Sequence, residues 1–131
     1  MNQPPLILIA DDETHILRIV SLKLRNAGYE VITAEDGEQA LALVRERRPD
    51  LLVTDYQMPY LTGLELCVKL RCDPETAELP AMLLTARGSS LSGHELARTN
   101  IREVMSKPFS PREVLTRVEA LLTPEGNEAV T

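Results

Sequence analysis

Five short, mostly apolar runs constrain this chain more than any other feature of its sequence. They are Leu6–Ala10, Glu30–Ala34, Leu51-Leu52-Val53-Thr54, Ala81–Thr85 and Glu103-Val104-Met105-Ser106. The first of them is wholly apolar, as a strand buried on both faces requires. Helical patterns separate them. From Thr14, the residues Leu17, Val20, Leu24 and Ala27 recur at helical spacing until Gly28. Asp36-Gly37 opens a second helix with Ala40, Leu41, Ala42, Leu43 and Val44, which stops before Pro49. Thr62-Gly63-Leu64-Glu65 has the form of a capping box and starts a third, with Leu66, Val68 and Leu70 as its apolar content. Asp73-Pro74-Glu75-Thr76 reads as a loop. Ser92-Gly93-His94-Glu95 opens a short fourth helix to about Thr99. Ser110-Pro111-Arg112-Glu113 adds proline at the first helical position of a fifth, whose core face is Val114, Leu115, Val118, Leu121 and Leu122. Strands alternating with helices predict an α/β fold: a doubly wound parallel sheet of five strands covered by five helices.

The 131 residues suit a single domain over residues 1–122, with a polar tail over 123–131 that reads as disordered or as a linker remnant. Twenty acidic against fourteen basic residues leave a net charge of −6, which argues against a nucleic-acid-binding face, since phosphate backbones need clustered Lys and Arg. Aromatics make up 3% and Trp is absent, so base-stacking platforms are not expected either. Cys67 and Cys72 form neither a CxxC nor half of a zinc site, and read as reduced thiols on or near a helix. The apolar run after Pro5 is too short for a signal peptide or a membrane span, which points to a cytoplasmic protein with no membrane partner.

In open parallel sheets, ligands bind outside the carboxyl ends of the strands. The first strand ends in Asp11-Asp12, the third in Asp55, the fourth in Thr85-Ala86 and the fifth in Lys107-Pro108. If the first and third strands are neighbours, three carboxylates, a hydroxyl and an ammonium collect along one edge. Three carboxylates repel one another unless a cation joins them, and oxygen ligands of this kind suit Mg²⁺. A carboxylate can serve as a nucleophile and form an aspartyl phosphate. Phosphoryl transfer asks mainly for positioning and charge stabilisation, which Mg²⁺ and Lys107 would supply, while the Thr85 hydroxyl could donate to a phosphoryl oxygen. Each residue also has an ordinary reading: Asp11 or Asp12 as a helix N-cap, Thr85 as a β-branched strand residue, Lys107 and Arg87 as surface charge, Met58 as packing, His15 and His94 as surface residues.

The set resembles the bacterial response-regulator receiver domain, including the single-domain chemotaxis and sporulation regulators. The resemblance rests on Asp11-Asp12 after the first strand, Asp55-Tyr56-Gln57-Met58-Pro59 with Gly63 following, Thr85-Ala86, and Lys107-Pro108-Phe109. It runs from residue 6 to about 122. It implies strand order 2-1-3-4-5 and a signalling switch rather than a turnover enzyme. By the same resemblance, Asp55 accepts a phosphoryl group from a sensor histidine kinase or phosphotransfer protein. Mg²⁺ is held by Asp11, Asp12, Asp55 and the backbone carbonyl of Gln57. Lys107 contacts the phosphoryl group, with a cis Lys107-Pro108 bond, and Thr85 moves toward it on activation. A downstream protein meets the face of the fourth helix, fifth strand and fifth helix, and the chain is a monomer or a weak phosphorylation-linked dimer.

The chain departs from the family pattern in two places. Val104 stands where an aromatic switch residue is usual, and Asn100-Ile101-Arg102 replaces a small-residue pair. Other classes fit less well. A haloacid-dehalogenase-type phosphatase needs a second Asp where Gln57 stands, and a flavodoxin would set its flavin phosphate against Asp11-Asp12-Glu13. A histidine phosphotransfer module would be a helical bundle. A docking module that works without phosphorylation, and the receiver of a larger transcriptional regulator, remain open alternatives.

Overall fold

The computed structural model describes residues 3–86 and 91–123. Arg87, residues 88–90 on the approach to the fourth helix, and the polar tail past Thr123 lie outside the described residues. The element order is β1 (Leu6–Ala10), α1 (Thr14–Asn26), β2 (Glu30–Ala34), α2 (Gly37–Arg47), β3 (Leu51–Asp55), α3 (Gly63–Cys72), β4 (Ala81–Thr85), α4 (Gly93–Leu96), β5 (Ile101–Ser106) and α5 (Pro111–Leu122). The five strands form one parallel sheet in the order β2-β1-β3-β4-β5.

Strand alternation divides the interior into two cores. Ile7 and Ile9 of β1, Leu51 and Val53 of β3, and Met82 and Leu84 of β4 pack under α1 and α5, against Leu17, Val20, Leu24, Val114 and Val118. Leu8, Ala10 and Leu52 face the other way, toward Ala40 and Val44 of α2 and Leu66, Cys67 and Leu70 of α3. Every residue of β3 and β4 is buried, as expected of central parallel strands. Burying one such Leu or Ile side chain contributes about 1.5–3 kcal/mol.

Local signals set the helix starts. Thr62, Ser92 and Ser110 each complete a capping box, with Glu65, Glu95 and Glu113 respectively, and Asp36 accepts from the Gln39 N–H at the start of α2. Neither Asp11 nor Asp12 caps α1; the cap position is Glu13, whose side chain makes no capping hydrogen bond.

Some boundaries differ from the sequence reading. The first helix ends at Asn26, with Ala27 as an exposed cap. The fourth helix is a single turn rather than a helix to Thr99. There the Thr99 N–H and hydroxyl both donate to the Leu96 carbonyl, at 3.0 and 2.8 Å, and this local bond takes the place of a further helical turn. The fifth strand begins at Ile101, two residues earlier than read. Ile101 pairs with Ala81 and Glu103 with Met82, so Arg102 is accommodated as an irregularity.

Candidate functional site

The sheet brings the sequence-predicted residues to its carboxyl edge. Asp11 follows β1, its N–H held by the Ala34 carbonyl at 3.1 Å. Asp55 ends β3 opposite Leu84, and Thr85 is the next residue on β4. The Lys107 N–H donates to the Thr85 carbonyl at 2.8 Å, and the Lys107-Pro108 peptide is cis. Both Asp11 and Asp55 are buried, as is Thr85, whereas Asp12 is exposed. One oxygen each of Asp11, Asp12 and Asp55 lies within 4.8 Å of the others.

Glycine fixes the backbone beneath the site. A Cβ on Gly63 would stand 2.2 Å from the Asp55 carbonyl oxygen, so only glycine lets the start of α3 lie against the end of β3. The Gly63 N–H completes the contact by donating to the Tyr56 carbonyl at 2.8 Å. Gly37 is similarly enclosed: its Cβ would fall 2.3 Å from the Leu61 oxygen. Between these contacts the chain turns tightly at Tyr60, which has φ 70° and is 78% exposed.

Lys107 reaches from β5 across the neighbouring strand. Its Nζ lies 2.9 Å from Asp55 Oδ1, 3.2 Å from Glu13 Oε1 and 3.9 Å from Asp11 Oδ2. Asp11 Oδ1 accepts the Glu13 N–H at 2.9 Å, while its buried Oδ2 accepts no hydrogen bond. Burial raises the Asp11 pKa from 3.8 to about 6; the Glu13 N–H pulls it down, and the Asp55 charge pushes it further up. Burial likewise raises the Asp55 pKa, against the hydrogen bond and charge of Lys107. Burial alone would lower the Lys107 pKa, but the Asp55 hydrogen bond and the surrounding carboxylates outweigh it and raise it.

This donor set fits a hard divalent cation. It offers only oxygens, one of them an orphaned buried carboxylate oxygen, at a site where burial raises the pKa of both Asp11 and Asp55. Gln57 is exposed in the loop after β3, and Val104 is half-buried in β5 opposite Leu83. Met58 packs in the core beneath the loop, and His15 and His94 are exposed. Both cysteines are free, Cys67 buried and Cys72 exposed. The sequence reading gave Glu13 no part in the site. Its one signal was a glutamate at a helix start where Ser, Thr, Asp or Asn is preferred.

An open parallel sheet with an acid cluster and a lysine at its carboxyl edge defines a CheY-like receiver architecture. The chain belongs to the family described as the response regulator receiver domain, whose model matches residues 7–119. Among curated relatives, the phosphate regulon transcriptional regulatory protein PhoB of Pseudomonas aeruginosa is 38% identical over 92% of this chain and 52% of its own length. The alkaline phosphatase synthesis transcriptional regulatory protein PhoP of Bacillus subtilis is 40% identical over 88% of this chain and 48% of its own. The chain therefore spans about half the length of these relatives. Among solved structures, the chemotaxis response regulator CheY4 of Vibrio cholerae superposes with TM-score 0.83 at 33% identity, covering 91% of this chain and 99% of that one. The response regulator TrrA of Thermotoga maritima, in complex with Mg²⁺-BeF, gives TM-score 0.79 at 32% identity, with 90% and 99% covered. Receiver domains of this family are signalling modules of two-component systems. No helix among the described residues is long and apolar enough to cross a membrane.

Proposed function

We propose that this receiver domain is a phosphorylation-dependent switch with Asp55 as the phosphoacceptor. The observation that carries the reading is the buried Asp55 carboxylate lying 2.9 Å from Lys107 and within the Asp11–Asp12–Asp55 oxygen cluster. An oxygen of Asp55 attacks the phosphorus of a phosphohistidine on a kinase or phosphotransfer protein. The O–P bond forms as the N–P bond breaks, and the imidazole leaves. Asp11, Asp12, Asp55 and the Gln57 carbonyl would hold Mg²⁺, which supplies charge neutralisation for the transferring group. Lys107 adds fixed positive charge, and Thr85 offers a hydroxyl to the new phosphoryl oxygens.

The output follows as a population shift in which Thr85 and the β4–β5 edge take up the new charge. Val104 is too small to act as a swinging aromatic, so the change reaches the α4–β5–α5 face through backbone and packing, toward a protein partner. The Mg²⁺-BeF complex of the Thermotoga maritima relative supports the cation and phosphoryl parts of this reading. The curated relatives, twice as long and named as transcriptional regulators, favour a second reading in which the same switch governs an attached effector.

A small phosphodonor with Mg²⁺ should add the mass of one phosphoryl group to the wild type and none to Asp55→Asn, read by intact-protein mass spectrometry. Labelling that survives the substitution would place the acceptor elsewhere.

A further inference from the structure

We propose that Glu13 is a positioning residue whose carboxylate competes for the Lys107 ammonium and so opposes the engagement of Lys107 with an anion held at Asp55. The proposal rests on the reading of Asp55 as the phosphoacceptor. Glu13 Oε1 lies 3.2 Å from Lys107 Nζ, nearly as close as Asp55 Oδ1 at 2.9 Å. The contact joins residues 94 apart in the chain, so it is a product of the fold and not of local sequence.

Glu13 also stands apart from the other helix starts. Asp36, Thr62, Ser92 and Ser110 all accept a backbone N–H of the helix they begin, whereas the Glu13 side chain accepts none from α1. Its carboxylate goes to Lys107 instead. An ammonium has three donors, and Asp55 and Glu13 take two of them. A phosphoryl group on Asp55 carries three oxygens that seek the same donors. Lys107 then serves it fully only by releasing Glu13. With half of its side chain exposed, Glu13 is solvated when released, so it is a modest competitor. Exposed ion pairs of this kind correspond to an effect of about two- to fivefold.

The test compares wild type with Glu13→Gln, which keeps the shape and removes the charge. At saturating Mg²⁺, beryllofluoride followed by amide NMR should bind Glu13→Gln about two- to fivefold more tightly, while Mg²⁺ alone binds no more tightly than to wild type. Before fluoride is added, the side-chain ¹³Cε resonance of Lys107 should already move in the variant. In a Lys107→Ala background, adding Glu13→Gln should leave beryllofluoride affinity unchanged. Equal affinity of wild type and Glu13→Gln, or an unmoved Lys107 resonance, overturns the proposal. So does a gain that survives in Lys107→Ala; should that background bind no beryllofluoride, the Lys107 resonance decides. A wild type that binds no beryllofluoride overturns the phosphoacceptor reading instead.

Discussion

The acidic pocket should destabilise the metal-free protein, and Asp11→Asn should show by how much. Asp11 is fully buried and its pKa stands at about 6 against 3.8 for an ordinary carboxyl. The folded protein therefore holds this proton up to about pH 6, while the unfolded chain releases it near pH 3.8. Between those values the folded state binds more protons, so stability falls as pH rises through that window, and the penalty is complete above it. At about 1.4 kcal/mol per pH unit the difference is about 3 kcal/mol.

Asparagine removes the charge and retains an oxygen for the Glu13 N–H. It also deprives Lys107 of an anion at 3.9 Å, a minor loss beside Asp55 at 2.9 Å. A net gain of about 1–3 kcal/mol is expected at pH 7.5 in chelator, read as a higher urea midpoint at unchanged slope. The gain should shrink as the pH falls toward 4. Mg²⁺ should reverse the order, stabilising wild type by mass action while leaving Asp11→Asn nearly unmoved. A variant less stable than wild type in chelator at pH 7.5 would refute the reasoning. So would one that Mg²⁺ stabilises as strongly as wild type.

Two further outcomes follow from packing. Gly63→Ala places a methyl group 2.2 Å from the Asp55 carbonyl oxygen, so it should cost at least about 1–3 kcal/mol in urea unfolding and shift the amide resonances around Asp55. Unchanged stability would mean that α3 does not lie against β3 as described. The Cys67 thiol is buried and its pKa pushed up to about 12, whereas Cys72 is exposed. A thiol reagent near neutral pH should therefore modify one cysteine in the native protein and both in urea.

The sequence disclosed most readily what is decided locally. Ser110-Pro111-Arg112-Glu113 and the boxes at Thr62 and Ser92 form as read, because a capping box closes within four residues. The strand ends carrying Asp11, Asp55, Thr85 and Lys107 were legible for a different reason: in a parallel sheet all carboxyl ends share one edge, so topology alone gathers them. The end of α4 was not legible, because a threonine hydroxyl turning back on the Leu96 carbonyl leaves no mark in the apolar pattern. The early start of β5 was hidden by Arg102, which the irregular pairing with β4 admits at the sheet edge. Glu13 could be seen as a charge, but its partner could not, since no spacing rule relates it to Lys107.

The strand order also bears on the order in which the molecule can come into being. The first strand made lies inside the sheet, flanked by β2 and by β3, so its second edge stays open until Leu51 and its neighbours have been synthesised. The acidic cluster is complete once Asp55 arrives, yet its only close ammonium among the described residues follows some fifty positions later. A nascent chain thus carries its mutual repulsion before it carries the group that relieves it. Closure of the sheet at β5 therefore does more than pack one further strand: it brings the acidic site its close ammonium, tying formation of the site to a late step of the fold.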